Sequence, residues 1–147
     1  ATAVISNSSG PDVLAVVNRI PLLIINGTTL VEYPSSADVR WHNKKVFWED
    51  NGTHLSVSDL LLIAGKDGNY FRANNIVFED AEEEEVLAVV SEFWREINFK
   101  KRVRYLDDRR QTAFWQMLVT DLKISRLHGF RHHYSRIDER TLNRLSL

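Results

Sequence analysis

Residues 22–33 read Leu-Leu-Ile-Ile-Asn-Gly-Thr-Thr-Leu-Val-Glu-Tyr, two apolar-rich segments around Asn26-Gly27. Such a pair is the strongest short-range hairpin signal, because a type I′ turn needs positive φ at both central residues. The stretch predicts antiparallel strands over residues 22–25 and 28–33, ended by Pro34, which has no backbone donor. Reading onward, residues 39–42 and 45–49 form a second expected hairpin around Asn43-Lys44, with Trp41, Phe47 and Trp48 as bulky strand residues. Residues 60–64 and 70–72 flank Gly65-Lys66-Asp67-Gly68, a third turn of hairpin type. Residues 76–79 and 86–94 follow as strands separated by an acidic stretch. The valines of 86–94 favour a strand, although the four preceding glutamates suit a helix N-terminus.

The end of the chain has a different period. Asp107-Asp108 can cap a helix over residues 109–128, whose apolar face is Phe114, Met117, Leu118, Leu122 and Ile124. Gly129 sits where a left-handed C-cap belongs. Ser135-Arg136-Ile137-Asp138 resembles a capping box and would open a short helix carrying Ile137, Leu142 and Leu145. Residues 1–11 read as a loose leader, 12–105 as a β-rich core and 106–147 as a basic helical end of one domain. The expected class is α+β: an antiparallel core, a small barrel or curled sheet, followed by one long and one short C-terminal helix.

The 147 residues are 44% hydrophobic and 27% charged, and include fifteen aromatics. That excludes a disordered tail, because such a chain can bury enough surface to offset its entropy. With no cysteine, disulfides, thiolate metal sites and cysteine nucleophiles are excluded. No aliphatic run approaches the ~20 residues of a membrane span. No basic segment precedes an apolar one at the start, so no signal peptide is expected, and Ala1 reads as a processed end. Asn7, Asn26 and Asn51 each begin a glycosylation sequon, two of which also read as turns.

The formal net charge of -1 hides an asymmetry. Residues 1–94 carry six Lys and Arg against fourteen Asp and Glu, whereas residues 95–147 carry thirteen against six. The basic end is a footprint for phosphate or an acidic protein surface, unless it docks on the acidic part of the same fold.

Motifs for catalysis are absent. Tyr105-Leu106-Asp107-Asp108 has the spacing of a polymerase carboxylate pair, but a double-acid helix cap explains it more simply. His128, His132 and His133 lack a carboxylate at catalytic-zinc spacing, and Gly129 interrupts them, so they read as basic surface. Gly65-Lys66-Asp67-Gly68 lacks the spacing of a phosphate loop. No catalytic residue, metal or cofactor is expected. Trp41, Trp48, Trp94 and Trp115 read as core or near-core, with an aromatic cage for a methylated ammonium as the alternative.

Residues 55–95 resemble the central part of a bromo-adjacent homology domain. The matching pieces are Val57-Ser58-Asp59-Leu60-Leu61-Leu62, Asp67-Gly68, Tyr70, residues 76–80 and Phe93-Trp94-Arg95. No proline follows Arg95, and Asn74-Asn75 replaces the usual continuation. The resemblance implies a non-catalytic, nuclear, chromatin-associated module that binds a histone tail, with Tyr70 and Trp94 beside it. The charge pattern adds nucleic acid or an acidic protein as partner, through Lys100, Lys101, Arg102, Arg104 and Arg131. The alternative is a structural or assembly subunit, viral or secreted, burying its sheet against other chains. A third is a small hydrolase or nuclease. Oligomeric state is not legible.

Overall fold

The computed structural model describes residues 1–28, 33–120 and 130–147. Its centre is a parallel sheet, which overturns the antiparallel barrel or curled sheet expected from the turns. Four strands, β1 (Val4–Ser6), β2 (Leu22–Gly27), β3 (Val39–Asn43) and β6 (Arg136–Ile137), lie in the order β1-β2-β3-β6, and every neighbouring pair is parallel. A separate antiparallel pair joins β4 (Lys45–Trp48) to β5 (Ile76–Glu79).

The reason lies in the same Leu22–Ile25 run. Leu22, Leu23, Ile24 and Ile25 are all buried, so β2 has no solvent face and shows no alternation. A strand covered on both faces belongs inside a parallel sheet sandwiched by helices. Asn26 does adopt the positive φ that the turn signal predicted, at 57°. β2 nevertheless pairs with β1 and β3 as parallel neighbours, with a register shift between Ile24 and Gly27. The expected partner strand over residues 28–33 falls mostly outside the described residues. Gly27 has a steric role instead: a Cβ there would lie 2.2 Å from the Trp41 ring. The second expected hairpin also dissolves, since β3 joins the parallel sheet while β4 pairs with β5.

Helices α1 (Asp12–Val17), α5 (Arg109–Thr120) and α6 (Glu139–Arg144) contribute to one cluster with Leu22, Ile24, Val39, Trp41 and Ile137 of the sheet. Within it Tyr33 stacks on Trp115 at 5.2 Å, meets Trp41 edge-on at 5.4 Å, and bonds Ser135 at 2.5 Å. Helix α4 (Glu83–Asn98) covers the opposite face, where Val89 and Phe93 pack on Leu23 and Ile25. The result is three layers, helix on sheet on helix.

Three segments read as strands are helices. Residues 60–64 lie largely in α2 (Val57–Leu62), which opens with a reciprocal capping box between Ser56 and Asp59. Residues 70–72 lie in α3 (Gly68–Ala73), capped by Asp67, which accepts from the Asn69 and Tyr70 amides. Residues 86–94 belong to α4, sixteen residues long. The pieces that carried the family resemblance are therefore mostly helical here.

At the end of the chain, Asp108 caps α5 as expected, accepting from the Arg110 amide at 2.9 Å. The helix is described to Thr120; its expected continuation, with Leu122, Ile124 and Gly129, lies outside the described residues. The last cap moves. Arg136–Ile137 form β6, and Asp138 rather than Ser135 caps α6. The open edge of β6 is closed by a side chain. The buried Gln111 donates to the Ile137 carbonyl at 2.6 Å and accepts from its amide at 3.0 Å, as a further strand would. Residues 4–6 of the expected leader form β1.

Candidate functional site

Helix α4 meets the sheet with two kinds of contact. Its apolar residues pack on β2, while Glu85, Glu92 and Glu96 share a helical stripe that faces β3. On β3, Arg40 and His42 are two residues apart and so face the same side, towards α4. Arg40 bonds three carboxylates: Asp138 at 3.0 Å, Glu96 at 2.8 Å and Glu92 at 3.3 Å. Arg140 forks onto Glu92 at 2.7 and 3.2 Å. Glu85 receives Arg144 at 2.5 Å and His42 Nε2 at 2.9 Å. The basic C-terminal arginines thus neutralise the acidic helix within the fold.

Burial holds the His42 imidazole below its ordinary value, against the raising effect of its bond to Glu85. Burial raises the Glu85 carboxyl, but the bonds from His42 and Arg144 outweigh it and leave it low. Glu92 is held low by its bond from Arg140, against partial burial. All three signs agree. The unfolded chain binds protons more readily than the fold, so stability is lost as pH falls. Chemical denaturation is expected to show a decline beginning near the ordinary histidine value of 6.5 and steepening below the ordinary glutamate value of 4.5. His42→Gln should flatten the upper part of that decline. A stability that does not change between about pH 7.5 and about pH 5.5 would contradict the arrangement.

Beside this ionic layer opens a cleft of about 670 Å³, walled by the C-terminal half of α4, the 3₁₀ turn Tyr105–Asp107, the start of α5, β6 and Glu139. Its volume is that of a small-ligand site, but its lining is charged rather than apolar. Each of its carboxylates has a cation within the fold. Glu92 and Glu96 are held by Arg40, Asp107 by Arg104, Asp108 by Arg136, and Glu139 by Arg110. Its cations are not all matched. Arg95 and Arg109 line the cleft, and neither has an ion pair among the described residues. Arg136, buried in the wall, reaches Asp108 only at 3.4 Å, and its Nε has no hydrogen-bond partner. The lining holds four arginines against five carboxylates, so the cleft is close to neutral overall, with Arg95 and Arg109 as its cations that have no ion pair among the described residues.

The residues expected to bind a partner are scattered. Tyr70 packs with the cluster on one face of the sheet, under Lys66 at 5.1 Å, whereas Trp94 sits half-exposed on the helix covering the other face. Lys100 and Lys101 are exposed just beyond α4. Arg102 forks onto Asp38 and lies over the Tyr134 ring. Arg104 bonds Asp107 at 3.0 Å, and Arg131 lies over the Tyr105 and Trp115 rings at 5.5 Å from each. Arg102, Arg104 and Arg131 are therefore engaged within the fold, while Lys100 and Lys101 stand beside Arg95 in sequence with no ion pair among the described residues. Arg40 was not legible as a site residue. The available signal was Val39-Arg40-Trp41-His42, in which Arg40 and His42 alternate with two apolar residues along a strand.

Of the other candidates, Trp41 and Trp115 are buried in the core and Trp48 packs partly against it. His132 and His133 lie 6.2 Å apart ring to ring, and His128 lies outside the described residues. Among the described residues no group of three His, Asp or Glu could hold a metal ion, and no helix is long and apolar enough to cross a membrane.

Fold and cleft together define a three-layer α/β chain with a parallel sheet and a polar cleft of mixed charge at the flank of α4. No family model matches the chain, and no curated protein or solved structure was found to match it.

Proposed function

We propose that the chain is a non-catalytic interaction module that receives an anionic partner, a nucleic acid or an acidic protein segment, in the cleft beside α4. One observation carries the reading: the carboxylates of the cleft have ion-pair partners within the fold, while Arg95 and Arg109 have none among the described residues. A guanidinium presents a planar fork of donors that matches phosphate or carboxylate. A nuclear setting goes with the nucleic-acid form of the reading.

Inorganic tripolyphosphate and a polyglutamate peptide are the probes, titrated calorimetrically at low salt. A charge-assisted hydrogen bond contributes about 1.5–3 kcal/mol. Arg95→Gln with Arg109→Gln is expected to weaken binding at least about tenfold while the thermal midpoint stays put. No affinity of the wild-type chain for either probe removes the reading, and so does a double variant that binds as tightly as wild type.

A further inference from the structure

We infer that a second copy of this chain packs on the β1 flank of α4, the two helices antiparallel about a two-fold axis. This surface lies away from the cleft and does not depend on what the cleft binds. It begins with an imbalance between layers. A four-stranded sheet is about 19 Å across, and a helix with its side chains covers roughly 10 Å of it. One face is covered by α1, α5 and α6 together, but among the described residues only α4 adds apolar helical side chains to the other. Glu85, Glu92 and Glu96 fix how α4 is turned, because they bond His42 and Arg40 of β3. Val89 and Phe93 point down at β2. The flank opposite the glutamates therefore faces β1, the outer strand on the far side of β2. Leu87 and Trp94 stand on that flank, each two residues, or about 200° of helical turn, beyond a glutamate of the stripe. They are two turns apart and so share one side. Leu87 is 57% exposed and Trp94 50%. On the sheet below, Ile5 of β1 is 49% exposed, and its register with Leu23 places it on the face that carries α4. An apolar step is thus left uncovered between α4 and the edge of the sheet.

The charges at the two ends of the step point to its occupant. Glu83 and Glu84 open α4, and Lys100 and Lys101 follow it. All four are exposed, and none has an ion pair among the described residues. A contact across a two-fold axis must be complementary to itself. A helix acidic at one end and basic at the other meets that condition when it pairs antiparallel with its own copy. An axis near the middle of α4 lays the acidic end of each helix beside the basic end of the other. It also sets Leu87 of one copy against Trp94 of the other, because the two lie symmetrically about that midpoint.

Sedimentation velocity over a concentration series tests the pairing on the full chain, and a concentration-dependent dimer is expected. Leu87→Ala with Trp94→Ala should weaken it at least about a hundredfold, since each substitution acts twice in a symmetric contact. Both side chains are exposed in the monomer, so circular dichroism should show the fold intact. Charge reversal reads the direction of the helices. Glu83→Lys with Glu84→Lys, and separately Lys100→Glu with Lys101→Glu, should each weaken self-association at least about tenfold. An equimolar mixture of these two variants should associate again, because every lysine end then meets a glutamate end. A chain that stays monomeric at submillimolar concentration overturns the inference. So does a dimer that the Leu87 and Trp94 changes leave intact, or a mixture of the reversed chains that stays monomeric. Binding of a monomeric chain to phosphatidylcholine vesicles, lost with Trp94→Ala, assigns the face to lipid and overturns it too. Recovery in the mixture needs both reversed variants folded, so a misfolded variant cannot imitate the expected result.

Discussion

Arg40→Ala is expected to lower the unfolding free energy by roughly 3–5 kcal/mol, because it removes one partner of a buried ion network and leaves the others behind. Asp138 has a side chain with no exposure and accepts from Arg40 Nε at 3.0 Å, and Glu96 accepts from its terminal nitrogen at 2.8 Å. Alanine would leave Glu96 without its cation and the buried Asp138 with Arg140 alone, from whose amide it accepts at 3.0 Å and whose guanidinium stands 3.6 Å away. Arg40→Lys keeps the charge but has no fork to reach three acids at once, so an intermediate loss is expected. Urea denaturation followed by circular dichroism reads the difference. A loss below about 1 kcal/mol for the alanine variant would mean that the network is solvated and contributes little.

Phe93→Ala and Trp94→Ala form the second test, and the contrast between them matters more than either value. Phe93 is fully buried against Leu23 and Ile25, so its truncation should cost roughly 3–5 kcal/mol. Trp94, the next residue, is half-exposed, and its loss should cost under about 1 kcal/mol. In a strand the two side chains would also point apart, so a second pair of variants fixes the period. Val89 is fully buried with Phe93, four positions away as on one helix face, so Val89→Ala should be costly while Leu87→Ala is cheap. Equal losses at Val89 and Leu87 would contradict the helix.

The same segment shows why part of the fold was legible and part was not. Local signals located strands near residues 22–25, 39–42, 45–49 and 76–79, and the cap at Asp108, each within a residue or two of the observed elements. They failed over residues 86–94, where valines argued for a strand. The apolar positions Val86, Val89, Val90, Phe93 and Ile97 follow the helical period, and the glutamates before them suit its N-terminus. Burying that face against β2 outweighs the small intrinsic preference of valine. Asn26 kept the positive φ of the expected turn, but Gly27 did not and both lie within β2, because one residue's φ is a local property and strand pairing is not.

The candidate site divides in the same way. Composition by itself determined that the chain has a packed core, no cysteine chemistry and a basic end facing an acidic remainder. It could not determine which arginines remain available. Ion pairing acts over a few ångströms, so it depends on which residues the fold makes neighbours. Arg40 finds Asp138 across 98 positions, and Arg144 finds Glu85 across 59. Parallel pairing is equally non-local: β3 lies between β2, just before it in the chain, and β6, almost a hundred residues later. Hydrophobic patterning and turn chemistry act within a few residues and were written in the sequence. The direction of the sheet, the helix that covers it and the two arginines left unpaired in the cleft were decided only when distant segments met.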